Sequence, residues 1–227
     1  MSHAKTTSAG KGVLFDLDGV LVDSLAVMRM SFESAYRDVH GDDGADLDAL
    51  FRRYRQHLGK GLPQILGCLG LSLQLVPHFK RHSRHLAPYV RVFPGVRELL
   101  QGLCSRGWIL GVATGKDESR ANDLLKDLRL RDHFAVVLGC DSVPAPKPAP
   151  DMVHAFAERT GVARDRMVMV GDAPADLQCA RAAACRSVAA LWGFTSSRRL
   201  QQEKPDWTAA TPRALLPLLW RIEEEHP

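Results

Sequence analysis

No apolar run in the 227 residues approaches the roughly 20 that a membrane-spanning helix requires, and the polar opening segment lacks the hydrophobic stretch of a secretion signal. A cytoplasmic protein with a flexible tail over 1–11 is expected. The five cysteines, Cys68, Cys104, Cys140, Cys179 and Cys185, are odd in number and include no C-x-x-C pair, so neither a zinc knuckle nor a disulfide framework is indicated. They read as reduced, mostly buried thiols. The histidines show no metal-ligand spacing. Gly 18 and Pro 13 carry no low-complexity bias, and 45% hydrophobic with 25% charged residues excludes a mainly disordered chain. The basic stretches Arg52-Arg53-Tyr54-Arg55 and 80–85 are short and match no nucleic-acid motif, so they read as solvated helix faces. The net charge of +4 favours anionic ligands without implying nucleic acid.

What is present falls into two patterns. Val13-Leu14-Phe15 is a short buried strand that stops at the polar turn Asp16-Leu17-Asp18-Gly19. Helical spacing then sets in with Leu25, Met28, Phe32 and Tyr36, with Ser24 a candidate N-cap, and further helices are expected near 45–57, 62–69 and 78–86. Beyond Phe93-Pro94-Gly95, strands at 108–113, 134–138, 167–170 and 187–191 alternate with helices near 96–104, 118–128, 151–159 and 175–184. That alternation predicts an α/β fold, a Rossmann-like doubly wound parallel sheet of five strands, with an inserted α-helical cap. The expected division is a core over 12–24 and 93–227 and a cap over 25–92, with a last helix at 212–225. Trp108, Trp192 and Trp220 read as core packing.

The polar residues cluster at strand ends: Asp16 and Asp18 after the first, Thr114-Gly115-Lys116 after the second, Lys147 after the third, Asp172 and Asp176 after the fourth. In a parallel sheet these ends share one edge. Carboxylates gathered there repel one another unless a cation joins them, and Mg2+, which takes oxygen ligands and substrate phosphate, suits such a set. Thr114, Lys147 and the backbone N–H of Gly115 are candidates to bind the phosphate and offset its charge. Asp16 is positioned as a nucleophile and Asp18 as the acid/base partner. Lys116 is open between phosphate binding and solvent, and Asp23 reads as a helix-start acid.

The segments 15–24, 113–116, 147–151 and 170–176 resemble, in order, the four motifs of the haloacid dehalogenase superfamily, and the insert resembles its type 1 cap, as in phosphoglycolate phosphatases and β-phosphoglucomutases. The resemblance implies Asp16 as nucleophile and metal ligand and Asp18 as acid/base and ligand through its carbonyl. It also implies Thr114 and Lys147 as phosphate binders, Asp172 as metal ligand and Asp176 as its support. Within the superfamily, segments 23–29, 54–60, 112–116 and 190–193 are most similar to the phosphatase of 3-amino-5-hydroxybenzoate (AHBA) biosynthesis, implying an aminosugar or other sugar phosphate in an antibiotic pathway. The expected partner is thus a small phosphorylated metabolite, without nucleic acid or membrane. Arg55, His57 and Lys60, near a glycine turn of the cap, are candidates to read it.

The alternatives are a phosphoglycolate phosphatase, a β-phosphoglucomutase-like mutase and a non-catalytic binding protein on the same fold. Met28 stands where the mutases carry a histidine, and Lys60-Gly61-Leu62-Pro63 lacks their Ser-Arg pair; both departures favour water as acceptor. Asp18 argues against halide removal, and no motif residue is missing, as a binding protein would allow.

Overall fold

The computed structural model describes residues 10–225. The expected tail falls outside these residues over 1–9. Lys11, by contrast, is held: its carbonyl accepts the Ile109 N–H at 2.8 Å and its ammonium pairs with Glu223 at 3.0 Å.

The first strand, β1 (Gly12–Phe15), leads through β2 (Val22–Asp23) into the helices α1 (Leu25–His40), α2 (Leu47–Arg55), α3 (Leu62–Leu69) and α4 (Leu75–His85). The chain returns through β3 (Arg91–Val92), α5 (Val96–Ser105), β4 (Ile109–Ala113), α6 (Glu118–Asp127), β5 (Val136–Leu138), α7 (Asp151–Thr160) and β6 (Met167–Gly171). It closes with α8 (Pro174–Ala182), β7 (Arg186–Ala190), α9 (Ser197–Gln202), β8 (Trp207–Ala209) and α10 (Pro212–Glu225). Among the described residues no helix is long and apolar enough to cross a membrane.

Six strands form one parallel sheet in the order β5-β4-β1-β6-β7-β8. Side-chain alternation explains the layers. Val13 and Phe15 of β1, Leu110 and Val112 of β4, and Val168 and Val170 of β6 face a core shared with α5, α6 and α10. Leu14, Met167 and Met169 face the opposite core, filled by Met152, Val153 and Phe156 of α7 and Cys179 and Ala180 of α8. The chain runs outward from β1 to β4 and β5 on one side, then crosses to β6, β7 and β8 on the other. The carboxyl end of β1 therefore sits where strand order reverses, the place where such sheets bind ligands.

Helices α1–α4 have a cluster of their own, in which Tyr54 packs on Phe32 and Phe51 with ring centroids 5.3 and 5.5 Å apart. The two chain crossings between helices and sheet are tied together by β2 and β3, which pair antiparallel, Val22 opposite Val92.

Three expectations change. The sheet has a sixth strand, β8, whose three residues alternate too briefly for a period to register. Ser24 precedes α1 without capping it, because its hydroxyl donates to Asp18 instead. Trp220 is only half-buried, with the Arg106 guanidinium 4.0 Å from its ring centroid, whereas Trp192 packs against the core as expected and its indole donates to the Val20 carbonyl at 3.0 Å.

Candidate active site

Each strand end delivers its polar residue to one edge of the sheet. Asp16 continues the β1 ladder, its N–H bonded to the Val170 carbonyl at 2.9 Å, and its side chain is almost wholly buried. Lys147, fully buried, donates to Asp16 Oδ1 at 2.9 Å, Asp176 Oδ1 at 2.6 Å and the Ala113 carbonyl at 2.8 Å. An ammonium has three donors, so all of Lys147's are spent on the protein. Direct phosphate binding by Lys147 would require it to release one of these partners; as it stands, it fixes Asp16.

Asp172 accepts the Phe194 N–H at 2.6 Å, and Asp176 accepts that of Ala173 at 3.0 Å. The turn after β1 leaves room for Asp172 because residue 19 is glycine, at φ 90°, where a Cβ would collide with the Asp172 carboxylate. Thr114 is buried and its hydroxyl accepts the Lys116 N–H at 3.2 Å. Lys116 is not turned to solvent: its ammonium bridges both oxygens of Asp18 at 2.7 and 2.6 Å.

Asp16, Asp172 and Asp176 offer oxygens all within 4.8 Å of one another, every one of them buried. Burial pushes Asp16 up to about 7 against the pull of the Lys147 ammonium. It raises Asp172 well above the carboxylate range, helped by the charges of Asp16 and Asp176. Three carboxylates thus face one lysine in a dry site, and an all-oxygen set with this excess of negative charge fits a hard divalent cation. Asp176 has both oxygens engaged by protein donors, whereas the bonds described use one oxygen each of Asp16 and Asp172. Asp18 differs: burial acts to raise it, but Lys116 and Ser24 prevail and hold it below its ordinary value.

Above this edge lies a cavity of about 50 Å³, floored by Asp16, Asp18, Thr114, Gly115 and Lys116 and roofed by Tyr54, Ile65 and Phe79 of the helices and by Lys60 of the α2–α3 turn. Gly115 is where the two halves meet, since a Cβ there would collide with the Lys60 carbonyl. Of the three helical-unit residues singled out in the sequence, only Lys60 lines this cavity, and its ammonium lies at the exposed Cys68 sulfur, 3.9 Å away. The expectation for Arg55 and His57 is corrected. Arg55 ends α2 facing outward and donates to the Phe194 carbonyl at 3.0 Å, while His57 is half-buried among Lys60, Arg199 and Arg53. Asp23 is exposed and accepts the Leu25 N–H at 3.4 Å, as a helix-start acid does.

Arg120 was not anticipated. It lines the cavity with its side chain 8% exposed, and donates to the Ser83 hydroxyl at 2.7 Å. A signal existed: Arg120 shares the buried stripe of α6 with Ala121, Leu124 and Leu125, where a charge is out of place on an apolar face.

Residues 13–190 match the family described as haloacid dehalogenase-like hydrolase. The chain belongs to that family. Among relatives of this haloacid dehalogenase-like hydrolase, the phosphoglycolate phosphatase of Xanthomonas campestris pv. campestris (strain 8004) is 35% identical, over 92% of this chain and 95% of its own. That of Shigella boydii serotype 4 is 32% identical over 92% of each chain. The solved structure of a predicted phosphoglycolate phosphatase from Haemophilus somnus 129PT superposes with a TM-score of 0.78 at 26% identity, covering 93% of this chain and 99% of that one. A hydrolase from Pseudomonas syringae, at 24% identity, shares the fold with a TM-score of 0.82 over 93% of this chain and 99% of its own.

Proposed function

We propose that this haloacid dehalogenase-like hydrolase is a magnesium-dependent phosphatase that cleaves a small phosphomonoester, phosphoglycolate being the first candidate. The observation that carries the reading is the buried Asp16, fixed by Lys147 beside Asp172 and opening with Asp18 onto one small cavity. The relatives named phosphoglycolate phosphatase support that substrate over the sugar or aminosugar phosphate suggested by the sequence. The link to AHBA and antibiotic biosynthesis draws no support from these relatives. The five thiols, all free, suit the reducing cytoplasm, but only Cys179 and Cys185 are buried, Cys68 and Cys104 being exposed and Cys140 half-buried, which corrects the expectation of mostly buried thiols.

A magnesium ion held by Asp16 and Asp172, backed by Asp176 and by the Asp18 carbonyl, would supply positive charge against the oxygens of the transferring group. The rest falls to the chain. A carboxylate oxygen of Asp16 attacks phosphorus, the bond from phosphorus to the leaving oxygen breaks, and Asp18 gives that oxygen its proton. Asp18 then takes a proton from water, the water oxygen attacks phosphorus, and the bond to Asp16 breaks, releasing phosphate and restoring the carboxylate. Lys116 keeps Asp18 ionised, the form that the second half needs. For the first half, an arriving phosphate competes with Asp18 for the Lys116 ammonium and frees the carboxylate to carry a proton. Thr114 and the Gly115 N–H hold phosphate oxygens, and the helices α1–α4 act as the cap that excludes bulk water.

The test is phosphate release from phosphoglycolate and a panel of sugar and aminosugar phosphates, with magnesium and with chelator. Release of phosphate from phosphoglycolate that stops on chelation is expected; release indifferent to chelator contradicts the metal-dependent reading.

A further inference from the structure

The cations around the cavity are not equally neutralised. Lys147 is bonded to two carboxylates, and Lys116 is held by both oxygens of Asp18. Among the described residues Arg120 forms an ion pair with Asp117 alone, at 3.4 Å, that carboxylate is already taken at 2.7 Å by Lys80 from α4, and the charge of Arg120 reaches Asp18, which Lys116 holds, only from a distance. One negative charge thus serves two cations. The bonds described use two of Arg120's five N–H donors, one to Asp117 and one to the Ser83 hydroxyl. A buried guanidinium with spare donors and half a counter-ion is costly unless something anionic completes it.

Its position indicates what that is. Arg120, Lys116 and Met28 line both the cavity over Asp16 and a second cavity of about 70 Å³ between α1, α4 and α6. Asp16, Asp18 and Thr114 line only the first. Arg120, on α6 and bonded to Ser83 of α4, therefore stands on the side of the first cavity that opens toward the second, where a leaving group can extend from the phosphate. The Phe79 ring, its centroid 5.9 Å from the guanidinium carbon, and the Ser83 hydroxyl keep the fork in place.

We propose that Arg120 determines specificity by receiving a carboxylate on the leaving group of the phosphomonoester. The assignment rests on the phosphatase reading above and adds to it the residue that selects the substrate class, a short phosphorylated carboxylic acid. The planar fork suits a carboxylate, and a site built around it discriminates against esters that lack the charge.

The experiment compares kcat/KM for phosphoglycolate and for 2-hydroxyethyl phosphate, which replaces the carboxylate with a hydroxymethyl group, in the wild type, Arg120→Gln and Arg120→Lys, each with magnesium. The wild type should prefer phosphoglycolate. Arg120→Gln should lower kcat/KM for phosphoglycolate about 10- to 100-fold, the range of a bond to a charged group, and leave the uncharged ester within about twofold. Arg120→Lys, which keeps the charge and loses the fork, should fall between. A wild type without preference, or losses equal for the two esters in both variants, would overturn the assignment while leaving the phosphatase reading intact. If neither ester, nor p-nitrophenyl phosphate, released phosphate, the phosphatase reading would fall and this assignment with it.

Discussion

The sheet edge and the helical unit that covers it handle charge in opposite ways. At the edge, Lys147 and its carboxylates are fully or almost fully buried, fixed by strand ends and by glycine-made space. In the helices the interior is aromatic, and charges stay outside, as where Asp38 gathers His78, Arg81 and His82 on the surface. Buried charge tolerates no slack, because an unpaired ion in a dry site costs several kcal/mol. An aromatic roof needs only to fit. The two regions meet through a few polar links: Lys80 to Asp117, Arg55 to the Phe194 carbonyl, Arg199 to the Gln56 carbonyl at 2.9 Å, and Lys60 against Gly115. In the proposed reading the edge does the chemistry and the roof encloses it.

The contrast can be broken from either side. Short of removing Asp16 itself, the largest effect is expected from Asp18→Ala, which removes the proton carrier and should cost roughly 10²- to 10⁴-fold in kcat, measured by steady-state phosphate release with the fold checked by circular dichroism. Lys147→Met should come next, in stability: Asp16 and Asp176 lose their shared cation, and urea unfolding without metal should show a loss of about 3–5 kcal/mol. Gly115→Ala keeps every charge and pushes only on the Lys60 carbonyl. Overpacking of this kind costs about 1–3 kcal/mol, and because the helical unit can yield as a body, it should appear as a drop in kcat/KM with little change in Tm.

The smallest effect concerns the surface link between the regions. Asp117 is held below its ordinary value of 3.8, burial pulling it up and the bond to Lys80 prevailing. A depressed carboxylate stabilises the folded state above its unfolded pKa, and that contribution is lost as pH falls through the folded pKa. Asp117→Asn should therefore lower stability by about 1–3 kcal/mol near neutrality, because it takes the carboxylate from the buried Arg120 as well as from Lys80. The gap to wild type should close on acidification below pH 3.8, as followed by thermal melts.

The same contrast explains what could be read in the sequence. Strand runs such as Val13-Leu14-Phe15, each ending in a polar turn, announce both the sheet and the residues at its edge, since burial and chemistry there are written in neighbouring positions. Helix α3 lies at 62–69 as its spacing predicts. The short pieces escaped: β2 and β3 have two residues each, β8 three and α9 six, all short of two full periods. Side-chain direction escaped as well. The apolar stripe of α6 marks Arg120 as buried, whereas Arg55 turns outward, but where the Arg120 guanidinium points is decided by Phe79, Ser83 and Asp117, two of them on another helix. Ser24 likewise looks like a cap until Asp18 is seen beside it.

The central claim is that Asp16 carries the phosphoryl group between substrate and water. A single turnover of phosphoglycolate with magnesium, quenched in acid, digested and weighed by mass spectrometry, tests it most directly. The account predicts one added phosphoryl group on the peptide containing Asp16, and neither that adduct nor phosphate release in Asp16→Asn. An adduct on another peptide, or undiminished release by Asp16→Asn, would contradict it.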